Sequence, residues 1–471
     1  GGYFRTGNAA TAQYGIYGTS LGAGESWGDD WNAGVFGTAQ IGFWDKAYID
    51  FSYRHDWSKA FSQFKGQTYT VKDAKGNEVL DKNGNPIVKN AKTSFGYWAV
   101  GANLLLKDLF NITNKKINIM KLRASYSQVG NSIPATLYGS YTYNAVTGTY
   151  SGQAYSFDNP QPETTSSFEV GYDMALFNNA FDFDITYYYS TMVNQFLSVG
   201  TVSGMSKPIN TGKIRNTGIE FTANYNWNIT KDFSWRTGLN FSYNDNLILS
   251  TYNDGTEYTM GWDIGGFLIK FKPGGSYGDL YVRDYDRDEN GAIITSSLVG
   301  AGVTKYAGNS MAPFYYGWNN TFNYKGFSFY FLLDGKIGGK VISYTQAKLD
   351  AWGVSEATGV DRDGFIELPD GQLVDVENFY KKTGNVPMSN YVYDASNLRL
   401  RELSVGYTFK DLLGASKNLS LSFVARNLCF LYKSCPVDPD ISASTSNGMG
   451  GIDVFAMPTS RSYGLNIKVT F

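Results

Sequence analysis

His55 is the only histidine among the 471 residues. A Ser-His-Asp or Cys-His nucleophile would have to use it, and a zinc site with several imidazole ligands is excluded. It lies at the end of an alternating segment, where a structural or surface role is the simpler reading. Asp182 and Asp184 are the most suggestive carboxylate pair, because two acids flanking a bond can hydrolyse a glycoside. Residues two apart on a strand share one face, so these acids read instead as the lining of a polar surface. Asp286-Arg287-Asp288-Glu289-Asn290-Gly291-Ala292-Ile293 matches the first part of a calcium loop. Asp286, Asp288 and Asn290 place side-chain oxygens at alternate positions, and Gly291 permits the sharp turn. Ser297 stands where the closing acid belongs. Two expectations stay open: a Ca2+ ion in a surface loop, or an acidic turn that binds none. No phosphate-cradling or dinucleotide fingerprint occurs, and Gly448 to Gly451 is a plain loop.

Aromatic side chains are the other candidate ligands. Tyr138, Tyr141, Tyr143, Tyr150 and Tyr155 crowd one segment, and Trp262 and Trp352 stand in others, with Trp27 and Trp31 similar to them. Flat rings stack on sugar faces and pack on peptides. The plainer reading is that they pack loops together or meet a partner protein. Cys429 and Cys435 are the only cysteines, and their spacing leaves a small disulfide and two free thiols equally open.

The composition bounds what must position these groups. Aromatic residues make up 16% of the chain and charged residues 17%, with Tyr alone at 36. Tyr and Trp suit a surface that meets both lipid and water. The formal charge of −2 argues for no nucleic-acid partner. No apolar run approaches the ~18–20 residues of a membrane helix, so a membrane-spanning form would have to be a closed barrel. No signal peptide is visible. The chain opens at Gly1-Gly2-Tyr3, which reads as mid-loop in a fragment or processed chain.

Period-two alternation in blocks of about ten residues dominates the sequence. The last block, Tyr463 to Phe471, has apolar or aromatic odd positions and Gly, Asn, Lys and Thr at even ones. Phe181 to Ser190, Ile219 to Trp227, Phe233 to Tyr243 and Glu402 to Phe409 repeat that phase. Strands are expected over 33–43, 46–57, 95–107, 118–129, 167–176, 181–196, 213–228, 233–247, 312–324, 327–341, 397–409, 419–432 and 460–471. Short connections alternate with the long ones at 58–94, 130–166, 197–212, 248–311, 342–396 and 433–459. Short periplasmic turns and long extracellular loops are the signature of an outer-membrane barrel. The expected fold is therefore all-β, a transmembrane antiparallel β-barrel. Residues 1–32 are read as an extracellular loop and 33–471 as barrel. Thirteen strands is odd, whereas an intact bacterial barrel normally has an even number, so further strands are expected before this chain. Outside the strands, a helix is expected over 344–352, stopped by Gly353, and a small hairpin around Gly76-Asn77 and Asn83-Gly84.

Several phrases, in order, resemble the SusC-like (SusC/RagA) family of TonB-dependent outer-membrane transporters. Lys121-Leu122-Arg123-Ala124-Ser125-Tyr126, ending in Gly130-Asn131, is similar to one family strand. Pro162-Glu163-Thr164-Thr165, Asn210-Thr211-Gly212-Lys213-Ile214-Arg215-Asn216-Thr217-Gly218 and Leu398-Arg399-Leu400-Arg401-Glu402-Leu403 are similar to three others. Arg54-His55-Asp56-Trp57-Ser58 departs from the family's Arg-Arg-Asp-Gly-Ser phrase. The resemblance implies the C-terminal part of a plugged barrel of about 22 strands. The plug and the segment that contacts TonB would precede this chain. It further implies a SusD-like surface lipoprotein as lid, oligosaccharides or peptides as cargo, contact with outer-membrane lipid, and a dimer of SusC–SusD pairs. Phe471 matches the terminal aromatic that barrel assembly reads in such proteins.

The resulting expectation is energised import across the outer membrane, without catalysis. Two rivals stand beside it. A passive porin would conduct ions without energy input. A surface-binding barrel would bind ligand without uptake.

Overall fold

The computed structural model describes residues 2–6, 21–25, 31–62, 65–71, 77–132, 141–144, 149–152, 161–200, 206–251, 257–260, 267–295, 304–359, 363–383, 388–412, 414, 417–441 and 450–470. Thirteen long strands form one sheet in which every neighbour is antiparallel and next in order. They are β1 (Asn32–Phe43), β2 (Ala47–Ser58), β3 (Ser94–Leu105), β4 (Ile117–Asn131), β5 (Glu163–Leu176), β6 (Phe181–Gly200) and β7 (Ser206–Asn228). β8 (Phe233–Ser250), β9 (Phe314–Tyr324), β10 (Phe327–Ile337), β11 (Asn397–Phe409), β12 (Asn418–Lys433) and β13 (Ser462–Thr470) complete it. Each expected strand is present.

Register separates the two faces. Ile219 stands opposite Tyr187 and Tyr243, and Phe221 opposite Ile185 and Phe241, so apolar residues share one face. Glu220, Thr222 and Asn224 share the other with Thr186, Asp184 and Asp182. The apolar side chains are not covered by protein: Leu239 is 43% exposed and Trp318 42%. Aromatic rings touch along this face near the short turns. Trp227 meets Trp235 at 6.4 Å, Trp235 stacks on Phe322 at 5.9 Å, and Phe327 meets Tyr407 at 4.6 Å. A contiguous apolar face with an aromatic border would aggregate in water but fits a bilayer. Among the described residues no helix is long and apolar enough to cross a membrane.

The short turns follow from local geometry. Trp44 and Asp45 both have positive φ (51° and 56°), as do Lys325 and Gly326 (45° and 90°). Two such residues make the two-residue turn whose twist matches the strands it joins.

The long connections are more structured than expected. Residues 197–200 and 206–212 are strand, because β6 and β7 continue pairing to Gly200 opposite Ser206. β10 stops at Ile337, since Gly338 and Gly339 adopt φ of 82° and 81° and redirect the chain into a separate strand, Lys340–Ser343. That strand pairs with Val392–Asp394 and Ile452–Asp453. Tyr258–Met260, Phe267–Phe271, Asp279–Arg283 and Thr304–Asn309 form a four-stranded sheet within one connection. The expected helix is α1 (Tyr344–Ala351), capped by the Ser343 hydroxyl, which accepts from Gln346 N at 3.0 Å. Gly353 follows it at φ 67°. The four-residue helices Lys59–Ser62 and Leu106–Leu109 and a longer one, α2 (Val376–Thr383), were not expected. Phe267, Ile269, Phe271, Leu280, Ile342, Met388 and Ile452 bury one another in a core shared by three connections. In the connection from β2 to β3, Thr68–Thr70 pairs with Val88–Asn90 around a turn at Gly84 (φ 84°). Gly76 lies outside the described residues.

Candidate functional site

The polar face of the sheet is a hydrogen-bonded surface from end to end. On it Arg123 bridges Asp173 and Asp184, and Lys121 reaches Asp173 at 3.3 Å. Asp182 accepts from Asn224 Nδ2 at 2.9 Å. Both members of the suspected acid pair are thus held by neighbours on one face, as a lining requires. Arg426 pairs with Glu402 at 2.8 Å, and Asp50 accepts from Gln40 and Asn103.

The densest charge cluster lies where β10, β11 and the segment after β12 meet. Simple alternation from Leu403, Val405 and Tyr407 would put Arg399 and Arg401 on the apolar face. A bulge prevents this. Leu332 pairs with Glu402 but Leu333 pairs with Leu400, so Arg401 is the extra residue and the phase reverses. Asn427, across the second register shift, takes φ 54°. Such a bulge re-aims side chains at the cost of local pairing. Arg399 then meets Asp440 through Nη2 and lies 3.6 Å from Asp334 through Nε. Arg401 donates to Asp334 at 2.5 Å and lies 3.4 Å from Asp440. Lys336 is 3.4 Å from Asp440 and donates to the Pro439 carbonyl at 2.7 Å. Burial pushes the Asp440 carboxyl up, but Lys336, Arg399 and Arg401 outweigh it and hold it below the ordinary range. A recess of about 500 Å3 opens beside the cluster, with Glu220, Asn240 and Tyr315 among its other lining residues. Nothing in the sequence patterning marks this cluster. Arg399 and Arg401 entered only as part of a family phrase, and Asp440 is remote in sequence.

The residues singled out from sequence fare unequally. His55 lies on the apolar face with Tyr53 and Trp57, its ring 4.6 Å from that of Trp57. Its Nδ1 is 3.2 Å from the Tyr53 hydroxyl, so it joins the aromatic border. Asp288 closes a turn: its Oδ1 accepts from the Asn290 and Ala292 backbone N–H groups, each at 2.9 Å. Arg287 pairs with Ile293 across that turn, and Gly291 takes φ 84°. Among the described residues no group of three or more His, Cys, Asp or Glu could hold a metal ion. Ser297 lies outside the described residues. The cysteine pair is resolved as two free thiols. Cys429 is exposed on β12, opposite Leu400, while Cys435 is buried in the following turn with its Sγ donating to the Val437 carbonyl at 3.1 Å.

Among the aromatics, Trp352 is 63% exposed and stacks on Phe455 at 6.0 Å. Tyr143 stands opposite Tyr150, and Tyr141 opposite Gly152, in a short hairpin. Tyr138, Tyr155, Trp262 and Trp27 lie outside the described residues, whereas Trp31 is exposed. Of the seven suspected aromatics only Trp352 has a described side chain, and the described residues that come together are charged.

An antiparallel wall with an aromatic-bordered apolar face, a charged polar face and ordered loops on one side defines the class: a transmembrane β-barrel. The family described as "TonB dependent receptor-like, beta-barrel" matches residues 1–428, and the chain belongs to it. Members of that family are outer-membrane transport proteins and not enzymes. The chain is 27% identical over 435 residues to TonB-dependent receptor P3 of Formosa agariphila, covering 81% of this chain and 42% of that one. It is 23% identical over 343 residues to TonB-dependent receptor SusC of Bacteroides thetaiotaomicron, covering 67% and 32%. It thus spans about two fifths or less of the length of these relatives. The RagAB peptide importer in its 'open-open' state shares the fold, with TM-score 0.71 at 19% identity, covering 98% of this chain and 49% of that one.

Proposed function

We propose that this chain is the C-terminal part of the barrel of an importer that carries oligosaccharides or peptides across the Gram-negative outer membrane. TonB supplies the energy through the preceding plug segment, and a SusD-like lipoprotein lids the loops. Pairs of the two proteins would assemble as dimers. The observation that carries this reading is the thirteen-stranded wall whose charged face continues into structured loops.

Both cargo classes stay in the proposal, because the resemblance to SusC-like transporters implies oligosaccharides or peptides and RagAB, whose fold the chain shares, is a peptide importer. Growth of the host with and without this gene, on purified glycans and peptide mixtures as sole nutrient, separates them. Loss of growth on one class, reproduced by a TonB block, is the expected result. Retained uptake under the TonB block would identify a passive porin. Ligand binding with unchanged growth on every substrate would identify a surface receptor.

A further inference from the structure

Arg399 is the largest fully buried side chain in the described residues, at 2% exposure. An arginine that buried ordinarily has acceptors for its whole guanidinium. Here only Nη2 has one, the carboxylate of Asp440. Nε and Nη1 have no hydrogen-bond partner, and neither does Asp334 Oδ1 facing them. One face of the guanidinium is covered by the Phe430 ring at 5.1 Å. The charges lining the recess balance, with Arg399, Arg401 and Lys336 against Asp334, Asp440 and Glu220, so an incoming carboxylate replaces a resident one instead of adding to it. Asp440 differs from Asp334 in kind. Asp334 is fixed on β10, whereas Asp440 belongs to the segment after β12 and reaches back to the wall.

We propose that this recess binds a carboxylate of the cargo, and that Asp440 is the resident carboxylate that cargo displaces from Arg399 and Arg401. The planar fork of each arginine matches a carboxylate. An incoming acid satisfies donors that Asp440 leaves unmet and releases the segment that carries it. Thr222, Asn240 and Ser242 line the facing wall, so the remainder of the ligand meets hydrogen-bonding groups. The inference rests on the importer reading and adds the charge class of its cargo. A uronate sugar and a peptide both carry this group.

The test uses the full-length transporter with its partner, titrated with four probes. These are digalacturonate, its neutral counterpart digalactose, an acidic tripeptide, and the same tripeptide with its carboxyls amidated. The expected result is a preference for the acid within at least one pair, and the pair that shows it names the source of the carboxylate. Arg401→Gln should lower the acid-to-neutral ratio by about tenfold, the size of one charge-assisted hydrogen bond. Asp440→Asn should raise affinity for the acid several-fold, because its competitor is gone. Equal binding of acid and neutral probes, with neutral probes still bound, would overturn this inference and leave the importer standing. So would an unchanged ratio in Arg401→Gln together with a lowered melting temperature, which would make the cluster an internal lock. Failure of all four probes, with growth unaffected by gene loss, would overturn both.

Discussion

Leu239 and Asn240 are adjacent on β8 and point to opposite faces. Arginine at Leu239 would sit near the middle of the apolar band and should cost about 2–4 kcal/mol. Arginine at Asn240 would enter a face already rich in charge and should stay within about 0.5 kcal/mol. Urea unfolding of the full-length barrel in lipid vesicles reads both, and equal costs would mean that the faces are misassigned. Asp288 offers a second contrast. Its carboxylate accepts two backbone N–H groups, so Asp288→Ala should loosen the turn by about 1–2 kcal/mol. Hydrogen exchange at Asn290 and Ala292 should be the same in calcium and in a chelator. Protection that appears only with calcium would restore the ion-binding reading of the motif.

At the scale of elements, Asp440 and the Lys336 bond to Pro439 tie the segment from Ser434 to Ile441 to the wall, beside bonds from Ser434 to the Asp394 carbonyl and from Thr459 to Asp438. The Asp440 carboxyl is held below its unfolded value, so its tie is fully present above about pH 4 and is lost as pH falls through the folded value. Proteolysis or exchange of this segment should rise on acidification below about pH 4 and be flat above it. In Asp440→Asn it should already be raised at neutral pH and change little on acidification. The barrel strands were legible in sequence because lipid on one side and polar groups on the other impose strict alternation, as in Phe181 to Ser190. The bulge at Arg401 was not, because alternation cannot report its own interruption. The loop sheets escaped for a related reason. Asp279–Arg283 is buried on both faces, so its residues carry no period-two pattern. α2 is short and begins beside Asp375, whose side chain accepts from Asn378 N at 2.8 Å, a cap visible only in structure.

The whole molecule makes a claim about direction. Among the described residues, the connections that share a buried core lie at one end of the strands, and the two-residue turns at 44–45 and 325–326 lie at the other. In an outer-membrane barrel the long connections face outward from the cell. Lys82, in the hairpin between β2 and β3, and Asn178, in the turn between β5 and β6, are both exposed and sit at opposite ends. Single cysteines at these positions, in a background where Cys429 and Cys435 are serine, should report the orientation. A membrane-impermeant maleimide applied to intact cells should label Lys82→Cys and spare Asn178→Cys. Opening the outer membrane should make both reactive. Labelling of Asn178→Cys alone on intact cells would invert the barrel and put the Arg399 recess near the periplasmic mouth. An arginine cluster there would meet cargo after transport, and the charge preference would then act on release instead of capture.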